Sequence, residues 1–291
     1  MKNWINLFLG LAIVGFLVSC NKSSDPNAQL NKELKVLDNY LSTHHTGDYV
    51  VYDNYYGNRI QIDSVGGGIP PHSGQTVSIT YEARLFPDTL TVFASGVLTS
   101  KIDDISVYGL KVGVSYLFQG SKATLYIPSP NAFGKEGTTN VPPNTSVIYN
   151  ISLDTVIRTA DQFTQFKLDT AKVKHYIDSV GINATYHPSG FWYTMDAIGT
   201  GDYPKPFDVA NFHYKLVLIS NGASLQESDL TNSIFGLDID ALKIGMLLMR
   251  EGGKATFYIP SGLAYGTAKV GSIPANGNII FTIQLNTLST Q

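Results

Sequence analysis

Gly120-Ser121-Lys122-Ala123-Thr124-Leu125-Tyr126-Ile127-Pro128-Ser129 returns almost letter for letter as Gly252-Gly253-Lys254-Ala255-Thr256-Phe257-Tyr258-Ile259-Pro260-Ser261. A second block follows each copy. Asn131-Ala132-Phe133-Gly134 leads to Val141-Pro142-Pro143-Asn144, and Leu263-Ala264-Tyr265-Gly266 leads to Ile273-Pro274-Ala275-Asn276. The offset stays at about 132 residues, the length of one ordinary domain. One fold is therefore used twice.

Working outward, each copy reads as strands. Val77, Ile79, Tyr81, Ala83 and Leu85 alternate with Ser78, Thr80, Glu82 and Arg84, the period-2 pattern of a strand with one buried face. Phe212, Tyr214, Leu216 and Leu218 repeat it. The shared block sets Ala123, Leu125 and Ile127 against Thr124 and Tyr126. Closing strands carry Val147, Tyr149, Ile151 and Leu153, and Ile279, Phe281, Ile283 and Leu285. Ser106 and Asp240 are placed as N-caps of one short helix per copy. A further amphipathic helix is expected before each copy, over Leu30 to Leu41 and over about Asp169 to Val180. The polar stretch Ile157 to Lys167 reads as a link between the copies. Strands wrapped on a single helix make an α+β domain whose sheet must curl to bury its inner face.

The N-terminus reads as a processing signal. Lys2 precedes an apolar run from Leu7 to Val18, and Leu17-Val18-Ser19 places small residues before Cys20, the only cysteine in the chain. That is the pattern of a bacterial lipoprotein signal, with Cys20 acylated after removal of residues 1–19. Residues 20–29 form a polar tether. The assignment of domains is then 30–157 and 165–291. A net charge of −3 with no Lys/Arg cluster offers nucleic acid no electrostatic footing. His44, His45, His72, His175, His187 and His213 show no ligand spacing, so neither metal nor cofactor is expected.

The ordered set of Gly-x-Lys-Ala-Thr-x-x-Ile-Pro, Ala-Tyr-Gly and Ile-Pro-x-Asn, between an early Tyr strand and a closing Phe strand, resembles the FKBP-type peptidylprolyl isomerases. The likeness runs from Val77 to Leu153 and from Phe212 to Leu285. It implies two tandem FKBP-like domains, each a curved antiparallel β-sheet wrapped on one short helix. It also implies a hydrophobic pocket between sheet and helix that takes a proline ring.

Carried over position by position, the resemblance places Tyr214, Ile239, Leu242, Tyr265, Ile273 and Phe281 in the second pocket. Tyr81, Phe93, Val107, Leu110, Phe133, Val141 and Tyr149 fall in the first. Neither set is complete. The Phe-Asp pair of active members is Phe93-Ala94 in the first copy and falls near Leu225-Gln226 in the second. The floor tryptophan is Leu110 or Leu242, and the tyrosine of Ala-Tyr-Gly is lost at Phe133 but kept at Tyr265. Each inward aromatic also has a plain reading as core.

Two functions stay open at this level. One is slow prolyl isomerisation, mainly in the second domain, acting on proline-containing segments of exported proteins at a lipid-anchored site in the cell envelope. The other is a degenerate pair kept for binding, a chaperone-like or scaffold lipoprotein without catalysis.

Overall fold

The computed structural model describes residues 27–44 and 49–289. The signal at residues 1–19, Cys20 and most of the tether lie outside them. The first domain runs α1 (Ala28–His44), β1 (Tyr49–Tyr52), β2 (Arg59–Ser64), β3 (Thr76–Leu85), β4 (Val92–Lys101), α2 (Tyr108–Ser115), β5 (Lys122–Ile127) and β6 (Val147–Ile157). The second repeats it as α3 (Ala160–Val180), β7 (Thr185–His187), β8 (Phe191–Ala197), β9 (Val209–Leu218), β10 (Ser224–Ser233), α4 (Asp240–Met246), β11 (Lys254–Ile259) and β12 (Ile279–Ser289). The sheets are ordered β1-β2-β5-β6-β3-β4 and β10-β9-β12-β11-β8-β7, one path read from opposite edges. All the described pairings are antiparallel. The expected pair of α+β domains is what forms.

The short helices lie so close to the central strands that only glycine fits. A Cβ on Gly113 would sit 2.5 Å from Leu125, and one on Gly245 would sit 2.5 Å from Phe257. The repeated Lys-x-Gly of Lys111-Val112-Gly113 and Lys243-Ile244-Gly245 encodes this approach. Above the helix, Ala123, Leu125 and Ile127, like Ala255, Phe257 and Ile259, are buried to 1% exposure or less.

The opposite face is buried as well, against the one-sided strand expectation. α1 lays Leu37 and Leu41 on Tyr126, Ile148 and Phe86, and α3 lays Val173 and Ile177 on Trp192 and Tyr258. Each sheet is therefore a filling between two helices. This is why Tyr126 and Tyr258, at solvent-facing positions of an alternating strand, are 5% and 6% exposed.

Three local expectations are corrected. Ser106 does not cap α2; Val107 holds the cap position without a side-chain bond. Asp240 is the first residue of α4, after Ile239, and its carboxylate accepts from His72 and Lys243 instead of capping. The supposed link 157–167 is mostly helix. Thr159 caps α3 in a reciprocal box with Gln162, and only two residues separate the helix from β6.

The domains touch. His72 Nε2 and Asp240 Oδ2 lie 2.6 Å apart, and Ser189 Oγ donates to Gly67 O at 2.7 Å. Beyond the end of α2, Tyr116 stacks on Phe235 at 5.9 Å and Phe118 meets the same ring edge-on at 5.5 Å. Phe207 closes the group, 5.0 Å from Phe235.

Candidate functional site

In the second domain a cleft of ≈ 170 Å³ opens between the concave sheet and the start of α4. β9 supplies Tyr214 and β12 supplies Phe281, both pointing inward by strand alternation; the rings stack at 4.9 Å and 16°. Ile239 and Leu242 come from the helix start and are 3% and 2% exposed. Tyr265 enters from the loop after β11, where Gly266 at φ 58 and Asn276 at φ 56 hold left-handed turns.

Burial, then the Asp238 carboxylate and Tyr214, push the Tyr265 hydroxyl above its ordinary value of 10.0. It stays protonated and able to donate. It has no hydrogen-bond partner among the described residues. Charge is scarce around it, since Asp238 is the one acidic side chain lining the cleft and no basic side chain lines it. Such a cleft can hold an apolar ring and offer a hydrogen bond to a carbonyl.

Five of the six positions assigned to this pocket, Tyr214, Ile239, Leu242, Tyr265 and Phe281, line the cleft together. Ile273 does not. It is 4% exposed in the core beneath the loop, and its N–H donates to Val270 O at 2.9 Å. Leu216, Gln226, Leu230, Asn232 and Leu237 also line the cleft.

Strand register resolves the uncertain Leu225-Gln226 position. Ala94 faces Ala83, two residues after Tyr81, and Gln226 faces Leu216, two residues after Tyr214. In both hairpins the ladder then skips one residue, Phe93 or Leu225. Gln226 therefore occupies the place of Ala94. The sequence placed the pair only near Leu225-Gln226, because the two hairpin loops differ in length.

The first domain arranges the same positions differently. Phe93 stands edge-on to Phe133 at 5.8 Å and to Tyr149 at 6.1 Å, and Tyr149 meets Tyr81 at 5.8 Å. The rings pack on one another where the second domain has the smaller Leu225. Burial, aided by Tyr81, pushes the Tyr149 hydroxyl up to about 12. Leu110 and Val141 are buried at 3% and 1%, and Val107 is half-buried at the helix cap. With Phe133 in place of tyrosine, this cluster lacks the donor that Tyr265 supplies.

The family model for FKBP-type peptidyl-prolyl cis-trans isomerase matches residues 67–154 and 201–286. The isomerase FkpA of Aeromonas hydrophila is 33% identical over 108 residues, covering 36% of this chain and 40% of that protein. FkpA of Buchnera aphidicola subsp. Acyrthosiphon pisum is 33% identical over 117 residues, covering 39% and 47%. The chain thus spans less than half the length of these relatives. Among solved structures, FkpA from Escherichia coli aligns at 27% identity and TM-score 0.39, over 45% of this chain and 63% of that one.

Proposed function

Because this chain belongs to the FKBP-type peptidyl-prolyl cis-trans isomerase family, we propose that its second domain catalyses slow cis-trans isomerisation of X–Pro bonds. The observation that carries this is the meeting of Tyr214, Phe281, Ile239, Leu242 and the donor Tyr265 around one cleft. An X–Pro amide resists rotation by about 20 kcal/mol because resonance keeps it planar. Halfway through the rotation that resonance and its dipole are lost. An apolar wall favours the twisted amide over the planar one, which water solvates better. In this reading the proline ring rests on Leu242 beside the stacked pair of Tyr214 and Phe281, and the Tyr265 hydroxyl donates to a carbonyl of the peptide.

The site is reduced. Gln226 stands where active relatives carry a carboxylate, and Leu242 replaces the aromatic floor. These two departures favour a second reading, in which the cleft binds proline segments without turning them over. An exchange assay on a short proline peptide separates the readings: accelerated cis-trans exchange supports catalysis, and binding without acceleration supports the alternative.

The first domain, with its rings packed together, serves in this proposal as support. The clients are proline-containing segments of exported proteins, and attachment is through acylated Cys20 at the cell envelope. Leu17-Val18-Ser19-Cys20 is the support for that attachment. No helix among the described residues is long and apolar enough to cross a membrane.

A further inference from the structure

On the far side of Tyr265 from the cleft lies a second groove of ≈ 310 Å³, built by both domains. Tyr265 and Asp238 line both spaces, so the two are neighbours. One wall comes from the first domain. There His72 bonds Asp240 at 2.6 Å and Gln75 Nε2 donates to Gln162 Oε1 of α3 at 3.4 Å. The opposite wall is the loop around Thr267.

Two groups on these walls are unsatisfied. Arg158 Nη2 and Asn276 Oδ1 are buried and lack a hydrogen-bond partner. Such orphans are rare in folded proteins, and each has a cost unless something completes it. The Arg158 guanidinium lies over the Phe166 ring at 4.0 Å, a stacking that leaves the N–H groups along its edge free to donate. The terminal torsion of an asparagine is soft, so the Asn276 amide can turn toward the groove at little cost.

We propose that this groove is an extension of the substrate site, taking the main chain that flanks the proline held in the cleft. One orphan is a donor and the other an acceptor, which is what a peptide group's C=O and N–H require. Charge argues against an ionic ligand. The Asp240 carboxylate acts on Arg158 and also accepts from His72 and Lys243, and Asp238 lies on the same walls, so the cationic and anionic side chains are mixed. The inference rests on the proposed function and adds that the first domain forms part of the second domain's substrate site.

The test uses the full chain and two labelled, uncharged peptides. One is a blocked tetrapeptide with a central Leu-Pro; the other carries the same core extended by several residues at both ends. Affinity is read by fluorescence anisotropy, which does not depend on turnover. The long peptide is expected to bind about tenfold tighter, the effect of one or two hydrogen bonds. Arg158→Gln and, separately, Thr267→Trp, which fills the groove from an exposed loop position, should each bring the ratio of affinities toward one. Equal affinity for the two peptides in wild type, or a ratio unchanged in both variants, overturns the inference. Failure of the short peptide to bind or to exchange faster would instead count against the cleft itself.

Discussion

Asp169 and Ser261, 92 residues apart in sequence, share a 2.5 Å hydrogen bond in which the Ser261 hydroxyl donates to a fully buried carboxylate. The first domain makes the same latch between Glu33 and Ser129 at 2.6 Å. There the longer glutamate also accepts from the Ser129 N–H at 2.5 Å and from Ser146 at 2.6 Å. The shorter aspartate leaves the Ser261 N–H to Asn278, which stands at the place of Ser146 and accepts it at 2.9 Å. Both latches tie the preceding helix to the Ile-Pro-Ser corner from which the Tyr265 or Phe133 loop departs. The repeated serine thus has a structural duty beneath the functional loop.

Removing Asp169 takes away the acceptor of the buried Ser261 hydroxyl, whereas removing that hydroxyl leaves Asp169 with Gln165 and Lys172. Asp169→Ala is expected to destabilise the second domain by about 2–4 kcal/mol, and Ser261→Ala by about 1–3 kcal/mol. Denaturant unfolding of the single and double variants would measure the coupling. Fully additive losses would mean that the 2.5 Å contact contributes nothing of its own.

Tyr265→Phe removes the hydroxyl that the loop brings to the cleft without changing ring shape and leaves that of Tyr214 in place. Loss of a hydrogen bond that strengthens in the transition state costs about 1–3 kcal/mol, so exchange should slow roughly ten- to hundredfold with stability unchanged. The raised Tyr265 pKa carries a pH consequence of definite sign. The donating form is the protonated one, so activity should persist to pH 10.0 and fall only above it. An unchanged rate in Tyr265→Phe would remove this residue from the proposed mechanism.

We expect the second domain to fold alone, and most stably when the fragment includes the start of α3. A chain beginning at residue 158 keeps the Thr159–Gln162 capping box, whereas one beginning at 165 lacks it. Both fragments should unfold cooperatively, the shorter less stable by about 1–2 kcal/mol. Equal stability would show that the first turns of α3 are dispensable. A disordered longer fragment would show that the aromatic contact of Tyr116 and Phe118 with Phe235 is needed for folding.

Cys20→Ala should shift the protein from the membrane fraction to a soluble exported form, since two or more acyl chains give stable attachment where one is marginal. Identical fractionation of wild type and variant would dismiss the anchor.

The repeat at a constant offset was enough to establish two copies of one fold, because two segments alike at eight of ten positions are each followed, at about the same spacing, by a second matching block. Strand alternation showed which side of β3, β5, β6, β9, β11 and β12 faces the short helix, and the resemblance placed five residues of the second cleft. Other elements were hidden. β8 escaped because helix and sheet bury it on both faces, as with Phe191 and Trp192. Without a polar face, period-2 alternation disappears. The opening of α3 was legible in the Thr159-to-Gln162 spacing but masked by polar composition. Only tertiary structure could decide that Gln226 stands in the carboxylate's position, since a bulge sets that register. The same holds for Ile273, which turns into the core, and for the meeting of His72, Arg158, Asp240 and Tyr265 around one groove. Local periodicity reports which face of an element is apolar. It cannot report which distant element covers that face, and the groove exists only because two copies of the fold lie against each other.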